Sequence, residues 1–178
     1  MLALLVTDMQ KGLFENAARY DADGVVSRIA ALLAAFRKAG RPVVFVQHDG
    51  LEGDELEPGA PGWEILPAVA PWPGEPVVHK TACDAFLETD LDRTLRGLGV
   101  REVAIVGCVT DFCVDTTLRA ATSLGYDVTA VSDGHTTADR AHLDAETIIA
   151  HHNWMWTNLI LPGRAVRLSS AREMLAAV

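Results

Sequence analysis

Short runs of consecutive apolar residues recur along the chain, and between them the apolar positions fall at helical spacing. Leu2 to Thr7, Pro42 to Gln47, Val77 to His79, Glu102 to Val106, Asp127 to Val131 and Ala165 to Leu168 read as strands. A strand that is apolar on both faces has no side for solvent. It belongs in a parallel sheet covered by helices above and below. Val26, Ile29, Ala30, Leu33 and Phe36 place a helix across Asp23 to Arg37, with Gly40 where a capping glycine belongs. Further helices are expected over Leu87 to Leu98, Phe112 to Leu124, Asp139 to His152 and Ser170 to Ala177, the last opened by its serine. Right-handed crossovers turn this alternation into one three-layer α/β/α domain over residues 1–178, Rossmann-like, with a mostly parallel six-stranded sheet.

A length of 178 residues suits a single domain that buries its own core without staples. The net charge of −9 argues against non-specific binding to nucleic acid or an anionic membrane. The apolar start, Met1 to Val6, lacks a basic flank and is too short for a signal peptide or a spanning helix. Three cysteines, Cys83, Cys108 and Cys113, show no C-x-x-C spacing. Free thiols in a reducing cytoplasm are therefore expected, without a structural zinc site.

The irregular stretch is Asp49 to Pro76, rich in glycine and proline, and so long an unstructured segment in a small domain suggests a lid. Between Pro42 and His79 there is no Lys or Arg, while Asp49, Glu52, Asp54, Glu55, Glu57, Glu64 and Glu75 are acidic. Bordering a pocket, such a segment favours neutral or cationic ligands. The alternative is a solvated acidic loop.

Ligands of open α/β sheets bind at the C-terminal ends of the strands, where strand order reverses. Asp8 follows the first strand, Lys80 follows the third, and Cys113 opens a helix just past Gly107. Taken singly they read as a turn residue, a solvated charge and a small buried hydrophobe. Together at one sheet edge they make a nucleophile with its activating groups. A helix N-terminus and the Lys80 ammonium would lower the Cys113 thiol pKa, and Asp8 would hold Lys80 and move the thiol proton. Backbone N–H groups of Val109 to Cys113 would form an oxyanion hole.

The ordered set Asp8-Met9-Gln10, Lys80 with Asp84-Ala85-Phe86, and Gly107-x-x-Thr110-Asp111-x-Cys113-Val114 resembles the isochorismatase-like cysteine hydrolases, over essentially the whole chain. The resemblance implies a catalytic triad of Asp8, Lys80 and Cys113, an oxyanion hole at the Val109 and Cys113 N–H groups, and a cis peptide at Val109–Thr110. It also implies thioester chemistry on an amide, carbamoyl or lactam without a cofactor, and a homodimer or homotetramer. Isochorismatases proper generally lack the nucleophilic cysteine, so Cys113 favours the amidase-like branch. Nicotinamidases add an Asp-x-His metal site, where this chain has Gln47-His48-Asp49-Gly50. A metal-assisted hydrolase using His48 and Asp49 is thus one rival, and a non-catalytic binding protein of the same fold another. Gln10, Phe14, His48, Trp63, Phe86 and Phe112 are candidate pocket residues. The cluster His151 to Trp156 suits a subunit contact.

Overall fold

A computed structural model describes residues 1–15 and 18–178. The strands are β1 (Leu2–Thr7), β2 (Val43–His48), β3 (Val77–Lys80), β4 (Glu102–Cys108), β5 (Asp127–Thr136) and β6 (Arg167–Ser169). They form one sheet in the order β3-β2-β1-β4-β5-β6, and every neighbouring pair is parallel. The chain runs outward from β1 through β2 to β3, then returns to the other side of β1 for β4. The order reverses between β1 and β4, which are paired from Leu2↔Glu102 to Thr7↔Gly107.

The helices are α1 (Lys11–Glu15), α2 (Ala22–Lys38), α3 (Leu91–Gly97), α4 (Asp115–Ser123), α5 (Ala145–Thr157) and α6 (Ala171–Ala177). The two-residue period of a strand divides the core into two. Leu4 and Val6 join Ile29, Leu32, Leu33 and Phe36 of α2 and Met174 of α6 on one face. Ala3 and Leu5 join Leu91 and Leu95 of α3, Leu118 of α4 and Trp156 of α5 on the other. Among the described residues no helix is long and apolar enough to cross a membrane.

Several boundaries moved from expectation. β5 runs on to Thr136, five residues past the apolar run, because its polar end is buried and hydrogen-bonded. α3 starts at Leu91, since Glu88 takes a positive φ of 54° and Thr89 Oγ1 accepts from Leu91 N. α5 starts at Ala145, capped by Asp144 through Thr147 N, and ends at Thr157. A single π-turn, Thr110–Val114, precedes α4. Asp49 to Pro76 holds only two short 3₁₀ turns, Pro61–Trp63 and Pro67–Val69. This segment is tied down. Arg37 makes a two-point ion pair with Glu75 at 2.8 and 2.7 Å and also donates to Ala70 O.

Candidate active site

β1 delivers Asp8 and β3 delivers Lys80 to the same end of the sheet, and the π-turn after β4 delivers Cys113. Lys80 Nζ lies 2.7 Å from Asp8 Oδ2 and 3.2 Å from Cys113 Sγ, and it donates to Ala82 O at 2.9 Å. Asp8 and Lys80 are 1% and 2% exposed. No hydroxyl or backbone N–H among the described residues meets either Asp8 carboxylate oxygen. Among the described residues the Lys80 ammonium and the Cys113 thiol face it, with His48 near enough for its charge to act on it.

Two close approaches make this geometry. Asp8 takes φ 48°, a conformation that Asp tolerates better than most residues. Gly107 has φ 127°, and a Cβ there would stand 2.0 Å from Thr7 O. Only glycine lets β4 run this close to β1 just before the loop that carries Cys113. The cis peptide precedes Val109, at Cys108–Val109, one bond earlier than Val109–Thr110.

The expectation of a thiolate-favouring microenvironment is overturned. Burial and the Asp8 charge push the Cys113 thiol up, and together they outweigh Lys80. Burial also raises Asp8, against the pull of Lys80. Burial alone would lower Lys80, but the charges of Asp8 and Cys113 raise it on balance. The physical reason is common to all three. A buried cluster with one fixed cation resists holding two anions, so Asp8 and Cys113 retain one proton between them. Cys108 is buried apart from this exchange, its thiol pushed up to about 12 by desolvation.

The loop that carries Cys113 is pinned from β5, the segment just after it, and α5. Asp111 accepts Thr137 Oγ1 at 2.6 Å and a forked Arg140 at 2.9 and 3.0 Å. Thr110 Oγ1 meets His135 Nδ1 at 2.9 Å, His135 Nε2 meets Asn153 Oδ1 at 3.0 Å, and Asn153 Nδ2 donates to Ser132 O at 2.9 Å. This chain assigns the Nε2–H tautomer to His135, which then accepts from Thr110. Burial pulls the His135 pKa down to about 4, keeping the ring neutral. His135 was missed in the sequence because it belongs to no recognised motif. Its signal was a polar run, Ser132 to Thr137, directly following an apolar strand.

The other candidates separate. His48 is at the centre, with Nδ1 3.3 Å from Lys80 Nζ. Phe112, next to Cys113 in the sequence, is half exposed and lies under the Arg140 guanidinium at 5.2 Å. Trp63 stacks on His79 and donates to Asp49 Oδ1 at 2.8 Å. Phe14 leans on the α2-side core. Gln10 is fully buried behind the rim rather than on it. Its amide donates to His48 O and Trp63 O and accepts from His48 N. Phe86 is core rather than pocket, stacked on Tyr126 at 6.0 Å. Asp49 Oδ1 is shared by Trp63 Nε1 and His79 Nδ1, while His48 Nδ1 faces Lys80. No group of three His, Cys, Asp or Glu side chains converges as a metal site among the described residues.

A parallel sheet with this order brings an Asp, a Lys and a Cys together beside its reversal point, the arrangement of a cysteine-hydrolase-like α/β/α fold. The chain belongs to the isochorismatase family: the isochorismatase domain matches residues 2–155. It is 42% identical over 138 residues to a streptothricin hydrolase of Streptomyces noursei, covering 77% of this chain. It spans half the length of that relative. A ureidoacrylate amidohydrolase of Variovorax paradoxus is 32% identical over 169 residues, covering 74% of this chain and 67% of its own length. Among solved structures, a cysteine hydrolase of Pseudomonas syringae superposes with a TM-score of 0.87 at 25% identity, covering 98% of this chain and 91% of that one.

Proposed function

We propose that this protein is a cysteine hydrolase that cleaves a C–N bond (amide, carbamoyl or lactam) of a small molecule through a thioester on Cys113. The observation that carries this reading is one buried ammonium, Lys80 Nζ, set 2.7 Å from Asp8 and 3.2 Å from Cys113. The names of the streptothricin hydrolase and ureidoacrylate amidohydrolase relatives support it.

The chemistry follows from keeping the cluster neutral. At rest the proton sits on Cys113, and Asp8 and Lys80 are paired. As Sγ attacks the carbonyl carbon, that proton passes to Asp8, so the charge inside the site is unchanged apart from the oxyanion. The Val109 and Cys113 N–H groups receive the oxyanion. Asp8 then gives its proton to the leaving nitrogen, and the C–N bond breaks to leave the thioester. Water attacks the thioester with Asp8 as base, releasing the acid and returning the proton to Cys113. Lys80 stays cationic throughout and holds both partners.

The test is ammonia or amine release from a panel of small primary amides, ureido compounds and lactams, with intact-mass detection of an acyl adduct. Wild type turns over at least one member and Cys113→Ala and Asp8→Asn none. Turnover that survives Cys113→Ala would overturn the reading.

A further inference from the structure

β4 and β5 lose step just before the turn that carries Cys113. Ile105 pairs with Ala130, yet Gly107 pairs with His135 and Cys108 with Thr136, so two steps along β4 answer five along β5. A bulge of this kind re-aims the residue that follows it. The residues set out of register, Val131 to Gly134, are fixed at several points. Arg28 donates to Asp133 O at 2.6 Å, Asp133 Oδ1 accepts from Ala171 N at 2.7 Å, and a Cβ at Gly134 would stand 2.8 Å from Val131 and 2.9 Å from Val106. In unbroken register Ser132 would face Gly107, and the bulge puts His135 there instead.

Asn153 sets the tautomer of the ring. Its Nδ2 donates to Ser132 O at 2.9 Å, so its Oδ1 faces His135 Nε2 at 3.0 Å, and Nε2 carries the proton. Nδ1 is then an acceptor, and it takes the Thr110 hydroxyl at 2.9 Å. Trp156 lies edge-on to the ring, 5.0 Å between centroids, and is itself held by Asp115 Oδ1. Thr110 and His135 are both buried. Thr110 stands between Val109 and Cys113, whose N–H groups the proposed reaction turns toward the oxyanion, and Val109 O accepts from Phe112 N and Val114 N across the same turn. A shift of Thr110 therefore carries both N–H groups with it. An aliphatic side chain would fill this core position without the cost of burying an imidazole, whose pKa is held down to about 4. What the ring adds is one directed bond to Thr110.

We propose that His135, oriented by Asn153, is a positioning residue for the reaction at Cys113: through Thr110 it holds the Val109 and Cys113 N–H groups where the oxyanion forms. The inference rests on the reading of Cys113 as the group that is acylated. His135 does not touch the reacting atoms. Its share lies in acyl transfer to Sγ, where a tetrahedral oxyanion forms, and not in a displacement by Sγ, where none does.

The test compares two reactions of Cys113 in Cys83→Ser protein, where Cys108 stays buried, with both adducts followed by intact mass. With p-nitrophenyl acetate, Sγ bonds to the acetyl carbon through an oxyanion, the thiol proton passes to Asp8 and p-nitrophenolate leaves. With iodoacetamide, Sγ displaces iodide at a saturated carbon. His135→Gln puts its amide where Nε2 was and leaves the Thr110 hydroxyl without its acceptor. It should slow acetylation about 100-fold and alkylation less than about threefold. His135→Asn puts Oδ1 near the place of Nδ1 and should recover most of the loss. Thr110→Val should match His135→Gln, and the double variant should be no slower than either, because both break the same bond. Thr110→Ser should recover most of what Thr110→Val loses, so the Thr110 pair decides the matter if His135→Gln does not fold. The inference is overturned by an unchanged ratio of acetylation to alkylation, by equal losses in both reactions, by losses that add in the double variant, or by an Asn variant as slow as the Gln one. On amides the same variants should lower kcat with KM within about twofold. Selective loss of acetylation in a protein that turns over no amide would sink the hydrolase reading alone. Amide turnover with the ratio unmoved would sink this inference alone.

Discussion

Lys80→Met removes the one fixed cation that neutralises Asp8, and its consequence can be worked from burial. Asp8 is 1% exposed, and after the substitution the Cys113 thiol and, more weakly, His48 are what remain beside it. The fold then either holds an unpaired buried carboxylate or protonates it. From an ordinary value of 3.8, protonation at pH 7 costs about 4 kcal/mol, which sets the ceiling on the loss. Breaking one side of a buried ion pair commonly costs about 3–5 kcal/mol, so the two routes agree. The sign with pH follows. Above pH 3.8 the unfolded Asp8 is ionised while the folded variant carries a proton, so the folded state binds more protons. Stability of the variant must rise relative to wild type as pH falls, by about 1.4 kcal/mol per unit. Urea unfolding followed by tryptophan fluorescence should show a deficit of about 4 kcal/mol at pH 7, shrinking to roughly 1–2 kcal/mol near pH 5. Asp8→Asn/Lys80→Met, with both charges gone and an Asn that accepts φ 48°, should recover most of the loss. A deficit unchanged with pH, or a double variant no better than Lys80→Met, would refute the electrostatic account of this pair.

Gly107→Ala forces a Cβ to 2.0 Å from Thr7 O and should destabilise by roughly 3 kcal/mol or more, or abolish folding, as read by urea unfolding. For His135, a pKa held down near 4 means the unfolded state takes up a proton first. Wild type should therefore lose about 1.4 kcal/mol per unit as pH falls from 6.5 toward about 4, a component that His135→Gln removes from the stability–pH curve. With Asp8 raised above 3.8 and Cys113 above 9.0, kcat/KM for a neutral amide should be bell-shaped, its acid limb above pH 3.8 and its alkaline limb above pH 9.0. Arg37→Ala releases Glu75 and Ala70 O and should speed proteolytic nicking within 49–76 while costing about 1–3 kcal/mol in urea unfolding.

The parallel sheet was legible because its strands are apolar on both faces, and Asp8, Lys80 and Cys113 because each stands at or a few residues past the C-terminal end of such a run. What escaped was polar structure. Ser132 to Thr136 alternates nothing apolar, yet it continues β5, because Thr136 donates to Tyr20 O and His135 is held between Thr110 and Asn153. Asp139 and Asp144 both look like helix caps. Asp139 Oδ1 accepts from Ala145 N and Asp144 Oδ1 from Thr147 N, and the second is the true start of α5. The state of Cys113 was misjudged for a related reason. A motif places charged groups but does not weigh their burial, and here desolvation and the Asp8 charge prevail over Lys80.

The strand order has an inheritance of its own. Asp8, His48, Trp63, Lys80 and the acidic segment all lie before α3, while Gly107, Thr110, Asp111, Cys113, His135 and Asn153 all lie after it. In the proposed reaction the proton acceptor, with the acidic segment beside it, travels on one contiguous half of the chain, and the attacking atom with its anchors travels on the other. Exchanging the first half between relatives at the α3–β4 joint would move selectivity as a block and leave the nucleophile's scaffold intact.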